Sequence, residues 1–196
     1  MPLSTNHPNH PMSSSPKQIQ LHDKHFGLSY PGAEILHDIQ AVAERINHDF
    51  KGHTGQPPIF LCMLNGAFMF AAHLLGRIGF ACEVSFVKFS SYRGTQSCGE
   101  VQQLIGLNGG LAGRTVIVVE DIVETGSTLT TLHAELRKQG AAQIRVASML
   151  LKPNRYSGPV PVDYVGRIIP DDFIVGFGLD YNGLGRNLPD IYTLIP

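Results

Sequence analysis

Residues 116–129 read Val-Ile-Val-Val-Glu-Asp-Ile-Val-Glu-Thr-Gly-Ser-Thr-Leu, and no other stretch restricts the fold as strongly. Val116, Ile117, Val118 and Val119 are β-branched without polar alternation, so the strand they predict is buried on both faces, as in a parallel sheet. Two carboxylates, Glu120 and Asp121, follow where that strand is expected to end. A third, Glu124, opens a loop, and Thr125, Gly126, Ser127 and Thr128 lead into a helix. Leu129, Leu132 and Leu136 recur at helical spacing, Arg137 and Lys138 complement the dipole near the helix end, and Gly140 stops it. Small residues at a helix start leave backbone N–H groups pointing outward beside three hydroxyls, which makes a seat for a phosphate dianion. Carboxylates next to that seat would repel phosphate unless they faced sugar hydroxyls or a magnesium ion. The stretch therefore predicts a site for a phosphorylated sugar, with phosphate on the helix and hydroxyls on the acids. It is neither a P-loop, since no Gly-Lys-Ser/Thr follows a spacer, nor a dinucleotide fingerprint, since the spaced glycines are missing.

The remaining pattern is that of one α/β domain. Its 196 residues suffice for a single core, and a formal charge of −1 gives no electrostatic case for nucleic acid or an anionic membrane. Cys62, Cys82 and Cys98 lack metal-ligand spacing, and an odd count in a chain of this size predicts reduced thiols in a cytoplasm. The nine histidines, including His22 and His25, carry no zinc-type frame. Residues 1–16, rich in Pro, Ser, Asn and His, are expected to be a disordered tail, leaving 17–196 as the domain. Ile35, Ile39, Val42 and Ile46 mark an amphipathic helix over 32–50. A buried strand over 59–64 then meets a turn at Asn65 and Gly66 before a second helix; these polar residues and His73 make a strand–turn–helix a better account than a membrane span. Such a turn lies at the carboxyl edge of a sheet, where α/β proteins bind ligands, although a tight turn alone would leave the same signature. Further strands are expected over 83–89, 101–107 and 144–151. The polar run 90–99, which holds Ser91 and Tyr92, reads either as a lid or as a solvated hairpin loop.

The stretch 116–129 resembles the phosphoribosyl-pyrophosphate (PRPP) motif of the type I phosphoribosyltransferases. The C-terminal string from Ile169 to Asn182, with Arg186 beyond it, and the Ser91-Tyr92 pair resemble the hypoxanthine-guanine branch. The resemblance covers most of the chain after about residue 20. It implies a type I phosphoribosyltransferase fold: a central parallel sheet flanked by helices, with a small hood from the N-terminal segment and the C-terminal region. It also implies a purine-salvage enzyme that moves the phosphoribosyl group of PRPP to hypoxanthine or guanine, giving IMP or GMP and pyrophosphate. By resemblance, Glu120 and Asp121 hold the ribose hydroxyls and a magnesium ion, with Asp180 near a second one. Thr125, Gly126, Ser127 and Thr128 take the 5′-phosphate, and Asn65, Gly66 and Arg186 take pyrophosphate. Lys152 meets the purine's exocyclic group, Phe173 stacks on the ring, Ile174 offers its main chain to the base edge, and Ser91 and Tyr92 belong to a closing lid. Glu124 stands where the family usually has Asp, as the base for the purine N7 proton, and Asn65 stands where the family's loop commonly has Lys. A strand aromatic such as Phe173 is often simply core, and Lys152 can simply be a solvated lysine ending a strand, its stem covering apolar surface. A homodimer or homotetramer is implied. The competing readings are a PRPP- or nucleotide-sensing regulator on the same fold, and an enzyme for orotate or uracil.

Overall fold

The computed structural model describes residues 16–89, 101–105 and 110–196. The readings placed on residues 1–15, on Ser91, Tyr92 and Cys98, and on the end of the 101–107 strand lie outside them. Among the described residues, ten strands and three helices are ordered β1 (Gln18–Leu21), β2 (Lys24–Tyr30), α1 (Gly32–Asp49), β3 (Ile59–Leu64), α2 (Phe68–Leu75), β4 (Glu83–Phe89), β5 (Val101–Ile105), β6 (Thr115–Val123), α3 (Ser127–Lys138), β7 (Gln143–Leu151), β8 (Tyr164–Ile168), β9 (Ile174–Val175) and β10 (Ile191–Leu194).

The main sheet runs β5-β4-β3-β6-β7-β8. Strands β4, β3, β6, β7 and β8 are mutually parallel, and β5 adds an antiparallel edge. Alternate residues of the central strands serve opposite faces, as the pleat requires. Phe60, Cys62, Ile117, Val119, Ala147 and Met149 pack with α1 and α2. Leu61, Met63, Val116, Val118 and Val146 pack with Leu129, Leu132 and Leu136 of α3. Helix α1 buries Ile35, Ile39, Val42, Ala43 and Ile46 at 0–2% exposure, each large side chain contributing about 1.5–3 kcal/mol. No side chain of its own caps that helix; instead the Gly32 N–H donates to Oδ1 of buried Asp190 at 2.7 Å.

A second sheet, β1-β2-β10-β9, is antiparallel and draws its strands from segments far apart in sequence. Phe26, Val175 and Tyr192 form its small core. Ser29 Oγ donates to Thr193 Oγ1 across this sheet at 2.6 Å.

Two features of the main sheet position the site. The chain leaves β3 for β4 on one side and β6 for β7 on the other, so strand order reverses between β3 and β6; ligands in open α/β sheets bind at such a point. In addition, the β3–β6 ladder stops at Cys62↔Val119, while β6 continues to pair with β7 through Glu120↔Ser148, Ile122↔Leu150 and Val123↔Leu151. The sequence reading that ended this strand before Glu120 and Asp121 is therefore corrected. Both acids lie inside β6, held by β7, on the stretch where β3 has parted from it.

Candidate active site

Beyond Val119 the parted strands open a crevice. Its first concavity, about 300 Å3, is lined by Gly66, Asp121, Ile122, Glu124, Lys152, Phe173, Ile174, Leu179, Asp180 and Arg186. A second, about 260 Å3, runs from Glu120 through Val123 and Glu124 to Leu129. The two share Ile122 and Glu124 as a common wall. A third, about 570 Å3, lies beyond Arg186 and holds Leu64, Asn65, Phe68 and residues 183–187. Residues spread over more than 120 positions are thus brought to one edge of the sheet.

The second concavity is the start of α3. Gly126 is its N-cap in the left-handed conformation (φ +79°) and provides no side-chain cap. Thr125, Ser127 and Thr128 are exposed, whereas Gly126 and Leu129 are buried. Thr125 Oγ1 and Ser127 Oγ lie 3.2 Å apart, and Thr130 Oγ1 donates back to the Gly126 carbonyl at 2.8 Å, tying down the first turn. The first turn of α3 and the hydroxyl-bearing side chains of Thr125, Ser127 and Thr128 therefore border this second concavity, and a helix start of this kind is suited to an anion.

The acids of β6 are tightly held. Glu120 is half-buried as a residue, yet its Oε2 is sealed from solvent without a hydrogen-bond partner, one of two such side-chain atoms among the described residues. Burial, and then the Asp121 charge, push the Glu120 carboxyl well above the usual carboxylate range. Burial likewise raises Asp121 to about 6; hydrogen bonds from the backbone of Ile122 and of Asp121 itself, and the Arg186 charge, oppose this, and Asp180 adds to it. Asp121 Oδ2 lies against Gly66, where any side chain would collide with it, so Gly66 is the residue that lets the two strand ends approach. Paired acids with an unanswered buried oxygen suit a cation or a sugar hydroxyl. No cluster of three His, Cys, Asp or Glu side chains with metal-holding geometry occurs among the described residues. Magnesium commonly takes only one or two carboxylates and completes its shell with water and substrate oxygens, so the residues present fit it on those terms.

Asp180 and Arg186 form an ion pair at 2.5 Å; Asp180 also accepts the Gly183 N–H at 2.7 Å, and Arg186 donates to the Gly178 carbonyl at 2.7 Å. The Leu64–Asn65 peptide is cis, and Asn65 is exposed. Phe173 is 46% exposed, faces the first concavity and leans on Phe26 and Tyr181 at ring separations of 6.2 and 5.8 Å. It is therefore a supported open ring, and the core alternative for it does not hold. Ile174 is buried, and its strand pairs with β10.

The Lys152 side chain is only 3% exposed, which removes the solvated-lysine alternative, and its ammonium is hydrogen-bonded to Glu124 Oε1. Two residues that sequence reasoning assigned to different tasks are thus in contact. Arg155, which the sequence reading did not single out, stands 3.9 Å from the other Glu124 oxygen. Tyr156, also missed, packs its ring against Gly126. Neither carries a motif or a periodic signal; only the tertiary approach of residues 152–156 to 123–126 reveals them.

Residues 31–182 match the phosphoribosyl transferase domain family. The chain belongs to the phosphoribosyltransferase family. Among its relatives it is 40% identical over 162 residues to the hypoxanthine-guanine phosphoribosyltransferase of Staphylococcus epidermidis, covering 80% of this chain and 89% of that one. The Staphylococcus aureus enzyme of the same name is 38% identical over 161 residues, covering 81% and 90%. A solved Trypanosoma cruzi hypoxanthine phosphoribosyl transferase superposes with a TM-score of 0.80 at 31% identity, over 91% of this chain and 95% of that one. A type I phosphoribosyltransferase fold with five parallel strands and flanking helices accounts for all three likenesses. Among the described residues no helix is long and apolar enough to cross a membrane.

Proposed function

We propose that this phosphoribosyltransferase transfers the phosphoribosyl group of PRPP to hypoxanthine, and to guanine, giving IMP or GMP and pyrophosphate. The observation that carries this is the wall formed by Ile122 and Glu124, with a phosphate-sized seat on one side and a slot bearing Lys152 and Phe173 on the other. A nucleoside monophosphate spans the same two features.

The first turn of α3, residues 125–128, binds the 5′-phosphate. Glu120 and Asp121 orient the ribose hydroxyls and, with Asp180, would hold magnesium, which when bound neutralises the charge of the pyrophosphate leaving group. Arg186 turns from Asp180 toward pyrophosphate, and Asn65 and Gly66 present polar backbone and amide groups to it from the opposite strand. Phe173 covers one face of the purine, and the main chain of Ile174 meets its edge. Lys152 leaves Glu124 to donate to the 6-oxo group, which frees the carboxylate to take the N7 proton as the purine nitrogen attacks the anomeric carbon. Glutamate reaches one methylene further than the family's usual aspartate, and its contact with buried Lys152 supports the view that the longer arm still places its charge at the base. The enzyme acts in the cytoplasm, in keeping with unpaired Cys62 and Cys82, and assembles as a homodimer or homotetramer, in keeping with exposed Phe68 and Leu184.

The test is a PRPP-dependent conversion assay with hypoxanthine, guanine, xanthine, adenine, orotate and uracil in turn. Turnover confined to 6-oxopurines is expected. Binding of PRPP or nucleotide without consumption of any base would make the protein a sensor instead, and turnover of orotate or uracil would overturn the purine assignment.

A further inference from the structure

We infer that Tyr156 is a positioning residue that holds the phosphate seat in shape and ties it to the turn that carries Lys152; this rests on the function proposed above. The turn over residues 152–156 is closed by the N–H groups of Arg155 and Tyr156, which both donate to the Lys152 carbonyl at 3.1 Å. It touches the loop over residues 123–126 at several points. The Lys152 N–H donates to the Val123 carbonyl at 3.0 Å, the Lys152 ammonium bonds Glu124, and Arg155 approaches the same carboxylate at 3.9 Å. Tyr156 makes the last of these contacts, and it falls on the residue that matters most for the seat.

Gly126 is the N-cap of α3, so its backbone sets the direction of the first N–H groups of the helix. Its φ of +79° is one that glycine adopts freely. A side chain at this position would run into the Tyr156 ring, so the loop backbone lies directly on that ring. The ring is itself fixed on other sides. Its hydroxyl donates to the Val160 carbonyl, and Gly158 sits so close that an added Cβ would lie 3.1 Å from it. Tyr156 also packs against the apolar cluster that includes Leu129 and Val160. The phosphate seat therefore rests on a flat, pinned aromatic floor. That floor belongs to the same five-residue turn as the lysine assigned to the purine.

Binding of a nucleoside monophosphate (IMP) and of the matching nucleoside (inosine) is measured by calorimetry, because the ratio of their affinities isolates the phosphate. Wild type should favour IMP strongly. In Tyr156→Ala the floor is gone, and the IMP-to-inosine ratio should fall about tenfold or more, the loss expected when the charge-assisted bonds to one phosphate lose their alignment. Tyr156→Phe keeps the ring and should restore most of the ratio. If Tyr156→Ala does not fold, Tyr156→Leu, which fills the space without a flat face, takes the same measurement. An unchanged ratio in a folded Ala or Leu variant overturns the inference, as does a proportional loss of both ligands, which would mean a general folding role. Wild type that binds IMP no better than inosine would instead overturn the phosphate seat itself, and the function proposed above with it.

Discussion

Replacing Glu124 by glutamine separates its chemical task from its structural one. Lys152 lies at 3% side-chain exposure with the Glu124 carboxylate on its ammonium, while Glu124 itself is 38% exposed. Two unit charges about 4 Å apart attract by about 4 kcal/mol at an effective dielectric near 20. Glutamine keeps an oxygen that can accept from the ammonium, so roughly 1–3 kcal/mol of that attraction is lost and Lys152 is left short of a counter-charge. Arg155 adds a second cation nearby, which deepens the imbalance. The substitution should therefore lower the urea midpoint measurably while leaving a folded protein. With Glu124 as the proton acceptor proposed above, its loss should lower kcat by about 10²–10⁴-fold. Glu124→Asp retains a carboxylate and should keep much of the activity. The assay is kcat at saturating PRPP and hypoxanthine, paired with equilibrium unfolding of the same preparations. Wild-type kcat in Glu124→Gln would refute the proton-acceptor role, and an unchanged midpoint would refute the claim that Lys152 depends on this carboxylate.

Three other substitutions test separate links. Lys152→Gln should weaken the use of hypoxanthine and narrow the hypoxanthine-to-adenine preference by about tenfold or more, because an ammonium only donates whereas an amide can also accept from a 6-amino group; unchanged ratios of kcat/KM would remove Lys152 from base reading. Glu120 and Asp121 both titrate higher in the fold than their ordinary values, so the native state binds protons more tightly than the unfolded chain. For Asp121 that stability is complete below about pH 4 and is lost as pH rises through about 6, and for Glu120 the loss runs in the same direction. Glu120→Gln should accordingly raise the ligand-free Tm at pH 7.5, by on the order of 2–4 °C per kcal/mol recovered, and change it little at pH 4; a lower Tm at pH 7.5 would count against the buried-pair account. Asp190→Ala removes the acceptor for the Gly32 N–H and should cost about 0.5–2 kcal/mol, with no change in the unfolding midpoint as the contrary result.

Local patterns made much of this fold readable in advance. The run from Val116 to Val119, the stripe from Ile35 to Ile46 and the leucines of α3 announce burial through spacing, and spacing is a property of the sequence alone. The end of β6 was misplaced because Glu120 and Asp121 read as a strand terminus, whereas pairing with Ser148 and Leu150 of β7 carries the strand through them. Tertiary pairing overrode a local preference. The contacts of Lys152 with Glu124, of Tyr156 with Gly126 and of Asp190 with Gly32 were hidden for a related reason. Each joins single residues far apart along the chain, and such a junction leaves no period to detect.

The smaller sheet has a consequence for how the protein is made. The Phe173–Ile174 wall of the first concavity hangs from β10, and β10 in turn pairs with β2, some 164 positions earlier in the chain as the Ser29–Thr193 bond measures it. During synthesis β2 emerges early and must wait, one edge unpaired, while the whole six-stranded sheet is laid down behind it. An open strand edge is a template for pairing with any other chain, and contacts of such long sequence separation form late. Nascent chains should thus pass through a stage in which the start of α3 is complete and the Phe173–Ile174 wall is absent, and crowded polysomes are where mispairing between neighbouring copies would begin.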